Sequence, residues 1–95
     1  MEKEKTKMQW RRGCGSYWTG PALRWAETEA ATYAITDTDG AGPGAALWVY
    51  SVELGRWSGC SVSHYKTIAG AMSSAVALES RGGEAIKNAV INWEL

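Results

Sequence analysis

The stretch Ala45–Val62, AALWVYSVELGRWSGCSV, leaves the chain few options other than two strands folded back on each other. Gly55 supplies the positive φ that a tight turn demands, which a residue with a Cβ adopts only at a cost. With Leu54-Gly55 as a two-residue loop, the expected pairs are Glu53–Arg56, Val52–Trp57, Ser51–Ser58, Tyr50–Gly59, Val49–Cys60 and Trp48–Ser61. Side chains alternate across a strand, so this register gives the hairpin two faces. One carries Trp48, Tyr50, Val52 and Trp57, and the other carries Leu47, Val49, Cys60 and Val62.

After Val62 the period changes. Ser63-His64-Tyr65-Lys66-Thr67 leads into IAGAMSSAVALES, where Ile68, Met72, Ala75 and Leu78 fall near one stripe at helical spacing. Ser63 or Thr67 caps the start of this helix, and Gly82 or Gly83 ends it. Ala71 and Ala75 keep its face small, so it can approach a sheet closely. The aliphatic hairpin face suits that approach better than the aromatic one.

The remaining segments are weaker signals. Residues 1–7, MEKEKTK, read as a flexible charged leader. Met8 to Arg12 form a first strand, with Trp10 and Arg12 opposite Gln9 and Arg11, until Gly13-Cys14-Gly15 interrupts it. Tyr17-Trp18 resumes an extended segment before Gly20-Pro21. A second strand can run from Leu23, where Leu23 and Trp25 alternate with Arg24 and Ala26, and residues 30–37 alternate again, Ala31, Tyr33 and Ile35 against Thr32, Ala34 and Thr36; the whole span 23–37 can also be one long bent strand. Ala and Glu over residues 26–31 leave a helical turn as the alternative. Residues 37–44 are a loop by composition. The tail reads as a short helix followed by a final strand, on the alternation Ala89, Ile91, Trp93 and Leu95. The expected fold is a single α+β domain over residues 8–95: an antiparallel sheet of four to five strands with one principal helix on one face.

Six Trp and four Tyr with no Phe is an unusual aromatic set. Trp and Tyr either fill the core of a small sheet or offer large contact area at low entropic cost on a binding surface. Formal net charge is zero, yet charge is unevenly spread. Residues 1–12 hold Lys3, Lys5, Lys7, Arg11 and Arg12, whereas the span between Arg24 and Arg56 holds Glu27, Glu29, Asp37, Asp39 and Glu53 with no Lys or Arg. Neutral balance argues against a general nucleic-acid binder. The acidic span suits a basic partner surface, or else a solvated sheet face that deters edge pairing. Trp10 with Arg11 and Arg12, together with the sheet aromatics, forms the alternative reading, a single-stranded nucleic-acid platform. No apolar run reaches membrane-spanning length and MEKEKTKMQW lacks a signal-peptide core, so a cytoplasmic protein without a membrane partner is expected.

Several catalytic and metal patterns fail on spacing. Asp37-x-Asp39-Gly40 resembles the start of a calcium loop, but the fifth position is Ala41 and the twelfth is Trp48. Cys14, Cys60 and His64 are one ligand short of a structural zinc site, with no C-x-x-C pair. Cys60 and His64 as nucleophile and base lack an evident orienting third group; Cys60 reads as a small buried hydrophobe and His64 as part of the helix-entry loop. The Gly-rich stretches at 40–44 and 82–83 are not followed by G-K-S/T. No catalytic residue, metal or cofactor is expected.

The strand LWVYSV, turn ELGR, strand WSGCSV and helix KTIAGAMSSAVALES, within residues 45–80, resemble small proteins of phages and mobile elements, among them anti-CRISPR proteins and other anti-defence inhibitors. That resemblance implies a compact, non-enzymatic protein that blocks a basic surface of a larger host protein, such as a nucleic-acid-processing defence complex. The residues expected to meet the partner are Glu27, Glu29, Asp37, Asp39, Trp48, Tyr50 and Trp57. The N-terminal strands or a second copy in a homodimer are the alternative cover for the aromatic face. A cytoplasmic chain keeps its cysteines reduced. Mass measurement after non-reducing alkylation should therefore show adducts on both Cys14 and Cys60; a mass without adducts would reveal a disulfide.

Overall fold

The structure is a computed structural model and describes residues 8–13, 22–37, 44–59 and 61–93. Five strands, β1 (Arg24–Glu27), β2 (Ala31–Thr36), β3 (Ala45–Ser51), β4 (Arg56–Trp57) and β5 (Ser63–Tyr65), precede two helices, α1 (Ile68–Arg81) and α2 (Gly83–Asn92). The strands form one antiparallel sheet in the order β1-β2-β3-β4, with β5 also paired to β3. β4 and β5 thus share the far edge of β3, β4 at its C-terminal end and β5 at its N-terminal end. The fold is α+β, as the sequence patterns predict.

Alternation decides what each strand buries. Ala31, Tyr33 and Ile35 of β2 and Ala45, Leu47 and Val49 of β3 join Val62 in one core with Ala71, Ala75 and Leu78 of α1 and Ile86, Ala89 and Val90 of α2. Thr67 caps α1 by accepting the Gly70 N–H at 3.0 Å, and Gly82 ends it at φ 100. Ala71 and Ala75 are fully buried, because a methyl group is all that fits where the helix meets the sheet.

The hairpin departs from the expected register. Tyr50 faces Trp57 and Ser51 faces Arg56, so the turn has four residues, Val52–Gly55. A two-residue loop requires positive φ at its first central position, or at both. Leu54 would have to adopt it, whereas in the longer turn Gly55 alone does, at φ 71. Its N–H donates to Ser51 O at 2.8 Å, and Leu54 N–H donates to Ser51 Oγ at 3.1 Å. The pairing has slipped by two residues, and a slip by an even number keeps every side chain on its face. Trp57 therefore stays beside Trp48 and Tyr50.

Beyond Trp57 the expected strand does not run on. Ser58 N–H donates to Val49 O and Val62 N–H to Leu47 O, each at 2.8 Å. Two residues of β3 are thus spanned by four of the returning chain, which bulges between them. The bulge replaces the pairs expected for Gly59 and Ser61 and lets Ser63–Tyr65 pair as β5 instead of leading loosely into the helix. His64 consequently sits in a strand, opposite Ala46.

Three further expectations are corrected. Residues 24–36 are a hairpin rather than one bent strand, because the Thr28 hydroxyl accepts the N–H groups of Ala30 and Ala31 at 3.2 and 3.1 Å and closes a turn. Met8–Arg12 contributes a single bridge, Arg11 with Trp25, instead of a strand. The final strand of the tail is helix: Ile86, Ala89 and Val90 recur at helical spacing and are buried, whereas Ile91 and Trp93 are 51% and 52% exposed. Trp93 closes α2 at φ 60 with its N–H donating to Ala89 O, and its indole lies on Gly59, where an added Cβ would come within 2.7 Å of the ring. The 1–7 leader, Cys14, Tyr17-Trp18, Asp39 and Cys60 lie outside the described residues.

One polar tie crosses from sheet to helix. The Tyr33 hydroxyl donates to Glu79 Oε1 at 2.7 Å, and the Thr28 hydroxyl lies 3.0 Å from the same oxygen. Burial, then the hydrogen bond to Glu79 and its negative charge, raises the Tyr33 phenol far above its ordinary range. Unfolded tyrosine ionises near pH ~10, so the unfolded state gains stability above that pH and the folded protein loses it.

Two outcomes follow from this packing. Ala75→Trp should overpack the layer between α1 and the sheet and lower stability by about 1–3 kcal/mol or more; an unchanged melting temperature would place that stripe on the surface. Tyr33→Phe should cost about 1.5–3 kcal/mol at neutral pH, the range for a hydrogen bond to a charged group, and should flatten the fall in denaturation midpoint above pH ~10. An alkaline limb as steep as in the wild type would show that other groups control it.

Candidate functional site on the outer sheet face

Both helices lie against the sheet face that carries Tyr33, Leu47 and Val49, so the other face is built from the alternate residues. Register arranges them in ranks across the strands. Glu27, Thr32, Tyr50 and Trp57 make one rank; Trp25, Ala34 and Trp48 make the next; Thr36, Ala46 and His64 follow. Adjacent strands are about 4.8 Å apart, which sets Glu27 roughly 14 Å from Trp57 along the first rank.

The large residues wall in the small ones. Thr32, Ala34 and Ala46 are buried under their neighbours, while Trp48, Tyr50 and Trp57 are half-buried. Tyr50 and Trp57 meet edge to face with ring centroids 5.4 Å apart, a preferred arrangement of two quadrupoles. Trp48 Nε1 donates to Thr36 Oγ1 at 3.0 Å, which fixes the indole along the strand. Arg11, brought over β1 by its backbone bridge, places its guanidinium carbon 5.3 Å from the Trp25 ring centroid. Beside it opens a cleft of about 230 Å³ lined by Met8, Gln9, Arg11, Trp25 and Glu27.

Four of the seven residues expected to meet a partner, Glu27, Trp48, Tyr50 and Trp57, therefore share one face in two adjacent ranks. Glu29 is exposed in the turn just beyond Glu27, and that turn is held by the Thr28–Glu79 contact. Asp37 is exposed at the opposite end of β2, about 20 Å away at the usual rise per residue. The acidic span in sequence is thus divided between two ends of the sheet. Folding also brings a cation to one of them: Lys87 of α2 lies 3.1 Å from both Glu53 and Glu84. Its hydrogen bonds to Glu84 and then Glu53 raise the pKa of its ammonium group.

The grouping of Trp10 with Arg11 and Arg12 is divided in the fold: Trp10 packs against the core, while both arginines are exposed. Trp25 takes the place of Trp10 beside Arg11. The alternation about Leu23–Trp25 was visible in the sequence, but no local signal showed which residue would stack on it. His64 Nε2 approaches Ser61 Oγ at 3.3 Å on the exposed edge. Among the described residues, no three His, Cys, Asp or Glu side chains are placed to hold a metal ion, and no helix is long and apolar enough to cross a membrane. Compared with known protein families, curated proteins and solved structures, the chain matches none.

Proposed function

We propose that this protein is a non-enzymatic inhibitor that binds a basic surface of a larger protein in the cytoplasm through its outer sheet face. The observation that supports this reading is the shared rank of Glu27, Tyr50 and Trp57, next to Trp48, on the side of the sheet away from both helices. Aromatic side chains that are partly exposed on a rigid sheet make efficient anchors, since they lose little conformational entropy on binding. Glu27 and Glu29 at the rim attract a basic groove at long range, and a groove evolved for nucleic acid supplies the required charge. The resemblance to anti-defence inhibitors points the same way, toward a nucleic-acid-processing defence complex as the target.

One observation favours a second reading. Arg11 over the Trp25 ring beside these aromatics offers a cation for a phosphate and ring faces for bases, the elements of a single-strand binding platform. The two readings separate on salt and charge. Partner capture from the native host identifies the target, and stopped-flow association with it then tests the mechanism. Reversal of Glu27 and Glu29 to Lys should slow association about tenfold or more at low salt and weaken its salt dependence. Trp57→Ala should leave association nearly unchanged and speed dissociation by a factor on the order of 30. Wild-type rates across a salt series in the Lys variants would reduce Glu27 and Glu29 to a solvated rim. Tight, salt-sensitive binding of a labelled single-stranded oligonucleotide that is lost in Arg11→Gln would favour the second reading instead.

A further inference from the structure

Among the described residues, two buried side-chain polar atoms have no hydrogen-bond partner, Trp25 Nε1 and Thr32 Oγ1. Both residues are more than nine-tenths buried, at 7% and 1% exposure, and both belong to the outer face in adjacent ranks. Buried donors are paired in the great majority of folded proteins, so an unpaired one calls for a physical reason. The same Trp25 lines the cleft of about 230 Å³ with Met8, Gln9, Arg11 and Glu27.

We propose that this cleft binds a peptide carboxylate. A guanidinium stacked on an indole keeps its N–H groups in the plane of the fork, where they match the two oxygens of a carboxylate. The guanidinium carbon of Arg11 lies 5.3 Å from the Trp25 ring centroid, within cation–π range. A carboxylate retains lone pairs for a further donor, and the indole N–H of Trp25 is a donor with no acceptor. Glu27 on the same rim repels every anion, a dianion such as phosphate about twice as strongly as a carboxylate, and it accepts an amide N–H from the peptide that carries the carboxylate. Met8, which packs against the core, forms an apolar part of the cleft wall. This inference does not rest on the protein-binding reading, since small carboxylates test it without any partner.

The reporter is the indole N–H resonance of Trp25 in the ¹⁵N-labelled full chain, assigned by its loss in Trp25→Phe. Four compounds are titrated: acetyl-glycyl-glycine with a free chain-terminal carboxylate, acetyl-glutamic acid amide with a side-chain carboxylate, neutral acetyl-glycyl-glycine amide, and inorganic phosphate. At least one carboxylate should move the Trp25 resonance downfield to saturation at millimolar concentration, and the tighter of the two distinguishes a chain end from an acidic side chain. The neutral amide and phosphate should give weaker, unsaturated shifts. Arg11→Lys, which keeps the charge and loses the fork, should weaken carboxylate binding several-fold, and Arg11→Gln should abolish saturation. The proposal is overturned by the absence of a saturable shift with either carboxylate. It is equally overturned if the neutral amide or phosphate binds as tightly, or if Arg11→Lys binds like the wild type.

Discussion

The contact on which this structure depends is the approach of α1 to the sheet through Ala71 and Ala75. Both are fully buried, and on the facing strands Ala31 and Ala45 are fully buried too. Small side chains on both sides let the helix backbone come close, and the larger residues, Tyr33, Ile35, Leu47 and Leu78, fill the space around that seam. In a chain of 95 residues the core is modest, so stability is sensitive to the fit of each buried group. The Tyr33–Glu79 hydrogen bond fixes where along the sheet the helix sits, and through Thr28 it also fixes the first hairpin turn.

Once the helices occupy one face, the role of every second residue in the strands is settled. The core face takes aliphatic residues and the small seam. The outer face collects Trp25, Trp48, Tyr50 and Trp57 around a floor of Thr32, Ala34 and Ala46. The two unpaired buried polar atoms both belong to that outer face. Natural cores rarely leave such groups unpaired, and departures from complete pairing gather at sites of function. In this protein such departures lie on the outer face, Trp25 among them beside the cleft that Arg11 lines.

Backbone geometry shapes the periphery. Gly55 absorbs the positive φ of the hairpin turn and thereby sets the register of β4. At the other end of the chain Trp93 adopts φ 60, which costs a bulky residue on the order of 1–3 kcal/mol. Packing of its indole on Gly59 accompanies that strain, and it joins the end of α2 to the bulge after β4. The bulge and the helix end are thus coupled, and any side chain at position 59 would separate them.

The sequence by itself determined the faces. Period-two alternation in 31–36 and 45–51 sorts side chains by side, and the helical spacing of Ile68, Met72, Ala75 and Leu78 picks out the side of α1 that meets the core, where Ala71, Ala75 and Leu78 are the buried members; these are local properties that do not depend on register. Even the slip of the hairpin pairing kept Trp57 on the expected side, because it moved by two residues. Tertiary structure decided what local pattern leaves open. Ala89, Ile91, Trp93 and Leu95 fit a strand as well as a helix until Ile86, Ala89 and Val90 have a core to enter. The turn at Thr28–Ala30 divided one alternating run into two strands, and sent Glu29 and Asp37 to opposite ends of the sheet. Lys87 reached Glu53 across 34 residues of chain, and Arg11 met Trp25 through a single bridge. Such pairings are set by distances in the folded chain, and nothing in the local sequence encodes those distances.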